Sequence, residues 1–180
     1  MHALVVGGTG MLKGVSLWLA GQGYAVSLLA RRPERVGPVP GVHPLPVDYR
    51  DKDRLSAGLR GAIALHGPVV LAVCSIDRSA APEALGAVAE ELARSGSPFR
   101  LLLVRGSAAA HPTSPPGPAL PNPPELCRYQ EVILGWVDEG AATRWLTHPE
   151  IAQGVIEAIK LGAERSVVGT VRPWERRPGY

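Results

Sequence analysis

Cysteine, lysine and charge are scarce in this chain, and each shortage excludes something. Two cysteines, Cys74 and Cys127, cannot build a disulfide framework, and their spacing fits no metal motif. No metal site is expected. Charged residues are 19% of the sequence, against the usual ~25%. The net charge is only +3 and scattered, too small a footprint for nucleic acid. No basic leader precedes the apolar N-terminal run, so no signal peptide is read there. Long hydrophobic runs are also missing: the stretch Ala62 to Ile76 is broken by His66, Gly67 and Pro68, short of the ~20 residues a membrane span needs. A cytoplasmic protein without a membrane partner is expected.

What the chain does have is apolar residues, at 46%, in 180 residues of 19.0 kDa. That is enough for one core and one domain, residues 1–180. The 21 glycines and 18 prolines, about a fifth of the chain, stay below the roughly 25–30% that signals disorder.

The pattern alternates strand and helix. Ala3 to Val6 is an unbroken apolar run, as in a strand buried on both faces. Met11 to Gln22 places Leu12, Val15 and Leu19 on one helical face. Strands follow at Tyr24–Ala30 and Val42–Val47, the latter interrupted by Pro44 and Pro46. Asp51 suits the cap of a helix carrying Leu55, Leu59, Ala62 and Ile63. Val69–Cys74 is a fourth strand, Pro82–Arg94 a helix and Phe99–Val104 a fifth strand. The rhythm then breaks: residues 111–124 hold seven prolines and exclude a helix. Glu131–Val137 reads as a sixth strand, ended by a turn at Asp138–Gly140. Thr147 and Glu150 form a capping box opening a helix through Lys160, and Ser166–Val171 is a last strand. Strands separated by helices predict an α/β fold: a single doubly wound, Rossmann-like, mainly parallel sheet with helices on both faces. Its ligand site belongs at the carboxyl ends of the strands.

Gly7, Gly8, Thr9, Gly10, Met11 and Leu12 join the first strand directly to the first helix. Glycine admits positive φ and lets a ligand reach the backbone, while the helix start turns its amides and positive dipole end toward an anion. A pyrophosphate suits that geometry; a tight connector that binds nothing is the alternative. The third glycine of the usual pattern is displaced: Lys13 stands in its place and Gly14 follows. Gly14 substitutes only if the turn is one residue longer, and Lys13 either meets a phosphate or is solvated. After the second strand an NAD site carries an acid for the ribose hydroxyls, but here Arg31 and Arg32 come first and Glu34 after them. Guanidinium groups suit a 2′-phosphate, so NADP(H) is expected over NAD(H), unless the two arginines are simply solvated.

With the glycine turn, the arginines and the following strand in view, residues 1 to about 107 resemble the short-chain dehydrogenase/reductase superfamily, in particular its atypical members with a GGTG-type turn. The stretch Val47, Asp48, Tyr49, Arg50, Asp51 is similar to the short acidic motif after the third strand. The resemblance implies that Asp48 binds the adenine amino group and that Tyr49 offers a backbone contact beside the base. It also implies that Cys74, Ser75 and Ile76 line the cofactor ribose, mainly with backbone. Ser107, after the fifth strand, falls at the family's catalytic serine. The family's Tyr-x-x-x-Lys pair is missing: Tyr129 is followed at the fourth position by Ile133, and no lysine lies between Lys52 and Lys160. The proline-rich loop at 111–124 stands where the active-site helix belongs.

Two functions follow. One is an NADPH-dependent oxidoreductase acting on a small carbonyl or enone, with Ser107 polarising the carbonyl. The other is a non-catalytic NADP(H)-binding module, a redox sensor or partner subunit. The pairs Ser107 with His111 and Cys127 with Arg128 are further polar candidates, each lacking a third member. Expected partners are a dinucleotide, a small-molecule substrate and a second copy of the chain. The basic, aromatic tail from Arg172 to Tyr180 reads as disordered or as a subunit contact.

Overall fold

The computed structural model describes residues 1–113, 117 and 119–179. Its centre is β1 (His2–Val6), every residue of which is buried, because a parallel strand flanked on both edges and covered on both faces has no solvent side. β2 (Ala25–Ala30) and β4 (Val69–Cys74) pair with it in parallel on either side. With β3 (Val42–Pro46), β5 (Phe99–Gly106), β6 (Cys127–Leu134) and β9 (Arg165–Val168), the parallel sheet runs in the order β3-β2-β1-β4-β5-β6-β9. The order reverses at β1, the switch point of a doubly wound sheet. The expected fold class is the observed one.

Alternate strand residues feed two cores. Val5, Val73 and Val104 face α1 (Lys13–Gly21) and α4 (His148–Leu161), meeting Leu12, Val15, Leu19, Val155 and Ile159. Leu4, Ala72, Leu101 and Leu103 face α2 (Lys52–His66) and α3 (Ala84–Ala93), meeting Leu55, Leu59, Leu85, Val88 and Leu92. Asp51 caps α2, accepting the Arg54 amide at 3.1 Å. The capping box at Thr147 and Glu150 opens α4 as expected. Among the described residues no helix is long and apolar enough to cross a membrane.

The prolines of β3 are explained by its edge position. Val26 N–H donates to the Gly41 carbonyl, so alternate residues from Gly41 onward address β2. Pro44 and Pro46 therefore fall at positions whose missing N–H would point away from the sheet.

Several boundaries differ from the expected ones. α1 begins at Lys13 rather than Met11, and α3 spans Ala84–Ala93 rather than Pro82–Arg94. β6 starts at Cys127, not Glu131, and ends at Leu134, not Val137. Its buried Gln130 is satisfied on both sides: Arg100 Nε–H donates to it at 2.9 Å, and its own Nε2–H donates to the Ala163 carbonyl at 2.6 Å. Beyond β6, a Cβ at Gly135 would collide with the Thr170 carbonyl. The chain leaves the sheet there for an antiparallel pair, β7 (Trp136–Asp138) with β8 (Thr143–Trp145).

Between β5 and β6 no helix is present among the described residues; a 3₁₀ turn at Ser107–Ala110 leads into the proline-rich loop. Ser114, Pro115, Pro116 and Pro118 of that loop lie outside the described residues. Part of the loop is held from beneath by Arg105, which donates to the Gly117 carbonyl and pairs with Glu131 at 2.8 Å. The tail corrects the expectation of disorder. Trp174 is buried against Trp136 and His111, with ring centroids 5.9 and 4.8 Å apart, and Arg176 pairs with Asp138 at 2.6 Å. Tyr180 lies outside the described residues.

Candidate functional site

A cleft of about 840 Å³ opens at the carboxyl ends of β1 to β4. Gly7 forms its floor. Its φ of +78° is the left-handed region, and an added Cβ would stand 2.7 Å from the Ser75 carbonyl oxygen. Gly7 N–H donates to the Leu29 carbonyl and Ser75 N–H to the Val6 carbonyl. Gly8 is pressed into the sheet, where a Cβ would reach Val5 and Ser16 at 2.9 and 3.0 Å. α1 starts without a side-chain cap and without an acid in its first turn, so neither its cap nor its first turn offsets its positive end.

The displaced glycine has a different role from the expected one. A Cβ on Gly14 would lie 2.7 Å from Ala152 Cβ, so its bareness lets α1 approach α4 rather than the sheet. Lys13 is exposed and does not line the cleft.

Of the sequence candidates, Gly7, Thr9, Gly10, Met11, Arg31, Arg32, Asp48, Tyr49 and Ser75 line the cleft together. Four do not. Leu12 and Cys74 are wholly buried, with side chains in the two cores, and Gly8 and Ile76 are also buried. Ala30 and Arg35 line it and were not anticipated. Arg35 was missed because it reaches the cleft only through the 3₁₀ turn Pro33–Val36. Pro33 at the start of that segment was its one signal. Among the described residues Arg31, Arg32 and Arg35 form no ion pair.

Asp48 is held differently. Arg50 Nε–H donates to both carboxylate oxygens at 3.0 Å, and the Arg50 amide adds a bond at 3.1 Å. These bonds, with smaller help from the Arg31 charge, hold its pKa down to about 2, so it is an obligate acceptor at neutral pH. Tyr49 OH accepts the Asp77 amide at 3.3 Å, tying the loop after β4 to the cleft wall.

At the ends of β5 and β6 a smaller pocket of about 320 Å³ is lined by Gly106, Ser107, Gly135, Trp145, Ile151 and Arg177, among others. Ser107 is almost wholly buried, and its Oγ accepts a bond from Arg177 Nε–H at 3.0 Å. His111 turns to Thr113, whose amide it accepts at 3.3 Å, and to the Trp174 ring.

The other nucleophile and acid candidates are disabled by burial. The Cys127 thiol is pushed up to about 11 and Cys74 to about 12, so neither is a thiolate at neutral pH. Tyr129 OH donates to Glu131 at 2.7 Å, and burial together with that carboxylate raises its pKa far above the ordinary phenol value. That is the reverse of what a proton-donating tyrosine needs. Glu131 in turn accepts from Arg105, so the cluster serves the loop.

No protein-family model and no curated protein matches this sequence. Solved structures do match the fold. A short-chain dehydrogenase/reductase variant from Serratia marcescens superposes with a TM-score of 0.70 at 16% identity, over 93% of this chain and 96% of that one. The likeness is one of fold, shared with solved short-chain dehydrogenases/reductases. A Thermus thermophilus protein gives 0.62 at 20% identity over 93% and 96% of the two chains. A 3-ketoacyl-(acyl-carrier-protein) reductase from Brucella melitensis, complexed with NADH, gives 0.66 at 14% identity over 92% and 95%.

Proposed function

We propose that the chain is a single-domain, NADPH-dependent oxidoreductase of the short-chain type, acting on a small carbonyl or enone. The observation that carries this reading is the cleft at the switch point. It combines a glycine floor, an uncapped helix start, three arginines that form no ion pair among the described residues and an ionised Asp48. Gly7, Thr9, Gly10 and Met11 would hold the pyrophosphate, Arg31, Arg32 and Arg35 the 2′-phosphate, and Asp48 the adenine amino group. Ser75 and the backbone of Cys74 and Ile76 would border the ribose.

A reduced nicotinamide, when bound, would supply hydride. The residues near β5 provide orientation: Ser107 accepts from Arg177 and so keeps its own proton for a carbonyl oxygen. Tyr129 is occupied by Glu131, so the proton that completes reduction comes from water. The same occupation of Tyr129 favours a second reading, an NADP(H)-binding module that does not turn over.

A thermal-shift panel of NADPH, NADH, FMN and UDP-sugars tests the cofactor. NADPH at ~100 times its Kd stabilises by ~2.7 kcal/mol, and a larger response to FMN or a UDP-sugar would reject the reading. Loss of NADPH absorbance against a panel of small carbonyls and enones then separates the enzyme from the module.

A further inference from the structure

We propose that Arg177 is a carboxylate anchor, and that the pocket beside Ser107 takes a small oxo acid. This inference rests on the oxidoreductase reading and names the substrate class of that site. Two adjacent arginines of the tail are used in opposite ways. Arg176 is spent internally: it pairs with Asp138 at 2.6 Å and also donates to the Gly140 carbonyl, fixing the tail to the β7–β8 hairpin. Arg177 has no acid partner among the described residues.

The Arg177 guanidinium lies over Trp145 and Trp174, with its carbon 4.9 and 5.5 Å from the ring centroids. Trp174 is braced in turn by Trp136 and His111. The aromatic rings fix the plane of the fork, and among the described residues only its Nε is used, on Ser107. The terminal nitrogens therefore have no partner among those residues, and Arg177 lines the pocket that would receive a ligand. A planar fork with two free donor edges matches a carboxylate.

The remaining lining residues set the size. About 320 Å³ is at the lower end for a ligand site, and Leu134, Leu146 and Ile151 make much of the wall apolar. The fitting compound carries a carboxylate for Arg177 and a carbonyl within reach of the Ser107 hydroxyl. With NADPH as the reductant the balanced conversion would be oxo acid plus NADPH plus a proton to hydroxy acid plus NADP⁺, with Arg177 holding the carboxylate, the Ser107 hydroxyl donating to the carbonyl oxygen and water supplying the proton.

Calorimetric titration with oxamate, a non-reacting 2-oxo carboxylate mimic, tests the anchor, with and without saturating NADPH. Ethyl oxamate serves as the neutral control. Oxamate is expected to bind at least about tenfold more tightly than the ester, and Arg177→Gln to remove that preference. Arg177→Lys is expected to keep part of it, because it retains charge without the fork, and serves as the variant that preserves packing over the tryptophans. NADPH affinity should be unchanged in both variants. Equal binding of acid and ester, or no oxamate binding in either condition, would overturn the anchor. So would faster turnover in Arg177→Gln, which would make the tail an obstruction. Failure of NADPH to bind while oxamate still discriminates would reject the oxidoreductase reading and leave the anchor standing.

Discussion

The two pockets share the carboxyl edge of one sheet but are finished in opposite ways. At the ends of β1 to β4 the cleft is wide and cationic, and Arg31, Arg32 and Arg35 have no ion-pair partners among the described residues. At the ends of β5 and β6 the pocket is small, and its polar groups already engage one another through Ser107 and Arg177. The difference teaches that, on the proposed function, the first half of the fold leaves its cations for a large anion supplied from outside. The second half is built from the chain's own tail.

The comparison breaks most visibly if the tail is removed from it. Trp174→Ala should cost about 3 kcal/mol, the lower end for a buried tryptophan, by urea denaturation. NADPH binding to the folded variant should not change. Gly7→Val acts on the other half. A branched side chain at φ +78°, facing the Ser75 carbonyl, should cost about 2–3 kcal/mol of stability and abolish NADPH binding. Arg31→Ala should leave stability alone and weaken NADPH by roughly 1.5–3 kcal/mol with NADH barely affected. Equal losses for both cofactors would remove the 2′-phosphate from the account.

The opposite, amino edge of the sheet sharpens the contrast further. There His2 Nδ1–H donates to the Gly67 carbonyl at 2.7 Å and Nε2 meets the Ser27 hydroxyl at 2.8 Å, and its ring lies 5.4 Å from that of His66, which stacks on His43. Burial, with the neighbouring histidines, lowers the pKa of His2 and of His66. Below pH 6.5 the unfolded chain therefore binds more protons than the folded one. Stability is complete above that value and is lost as pH falls through it toward the lowered values. Denaturation midpoints at pH 7.5 and 5 check this, and His66→Asn should flatten the dependence. The smallest effect belongs to Lys13→Ala, within about 0.5 kcal/mol for both stability and NADPH binding, since Lys13 is exposed and outside the cleft.

The alternation of apolar strands with amphipathic helices was legible because it is local, as in Ala3–Val6 or the face of Leu55 and Leu59. So were the glycine turn and the paired arginines, which sit within a few residues of their strands. The start of β6 was hidden because Arg128, Gln130 and Glu131 read as surface, yet Gln130 and Glu131 are satisfied by Arg100 and Arg105, 30 and 26 residues away. The role of Gly14 depends on Ala152 of a distant helix, which no local spacing encodes. The second pocket was the least readable part. Its central contact joins Ser107 to Arg177 across 70 residues, through a tail whose composition resembles a disordered end.

Isothermal titration of the wild-type chain with NADPH tests the central claim most directly. The account predicts one site per chain, with heat that disappears in Gly7→Val and affinity that exceeds that for NADH. An absence of binding heat, or equal affinity for the two cofactors that Arg31→Ala leaves unchanged, would contradict it.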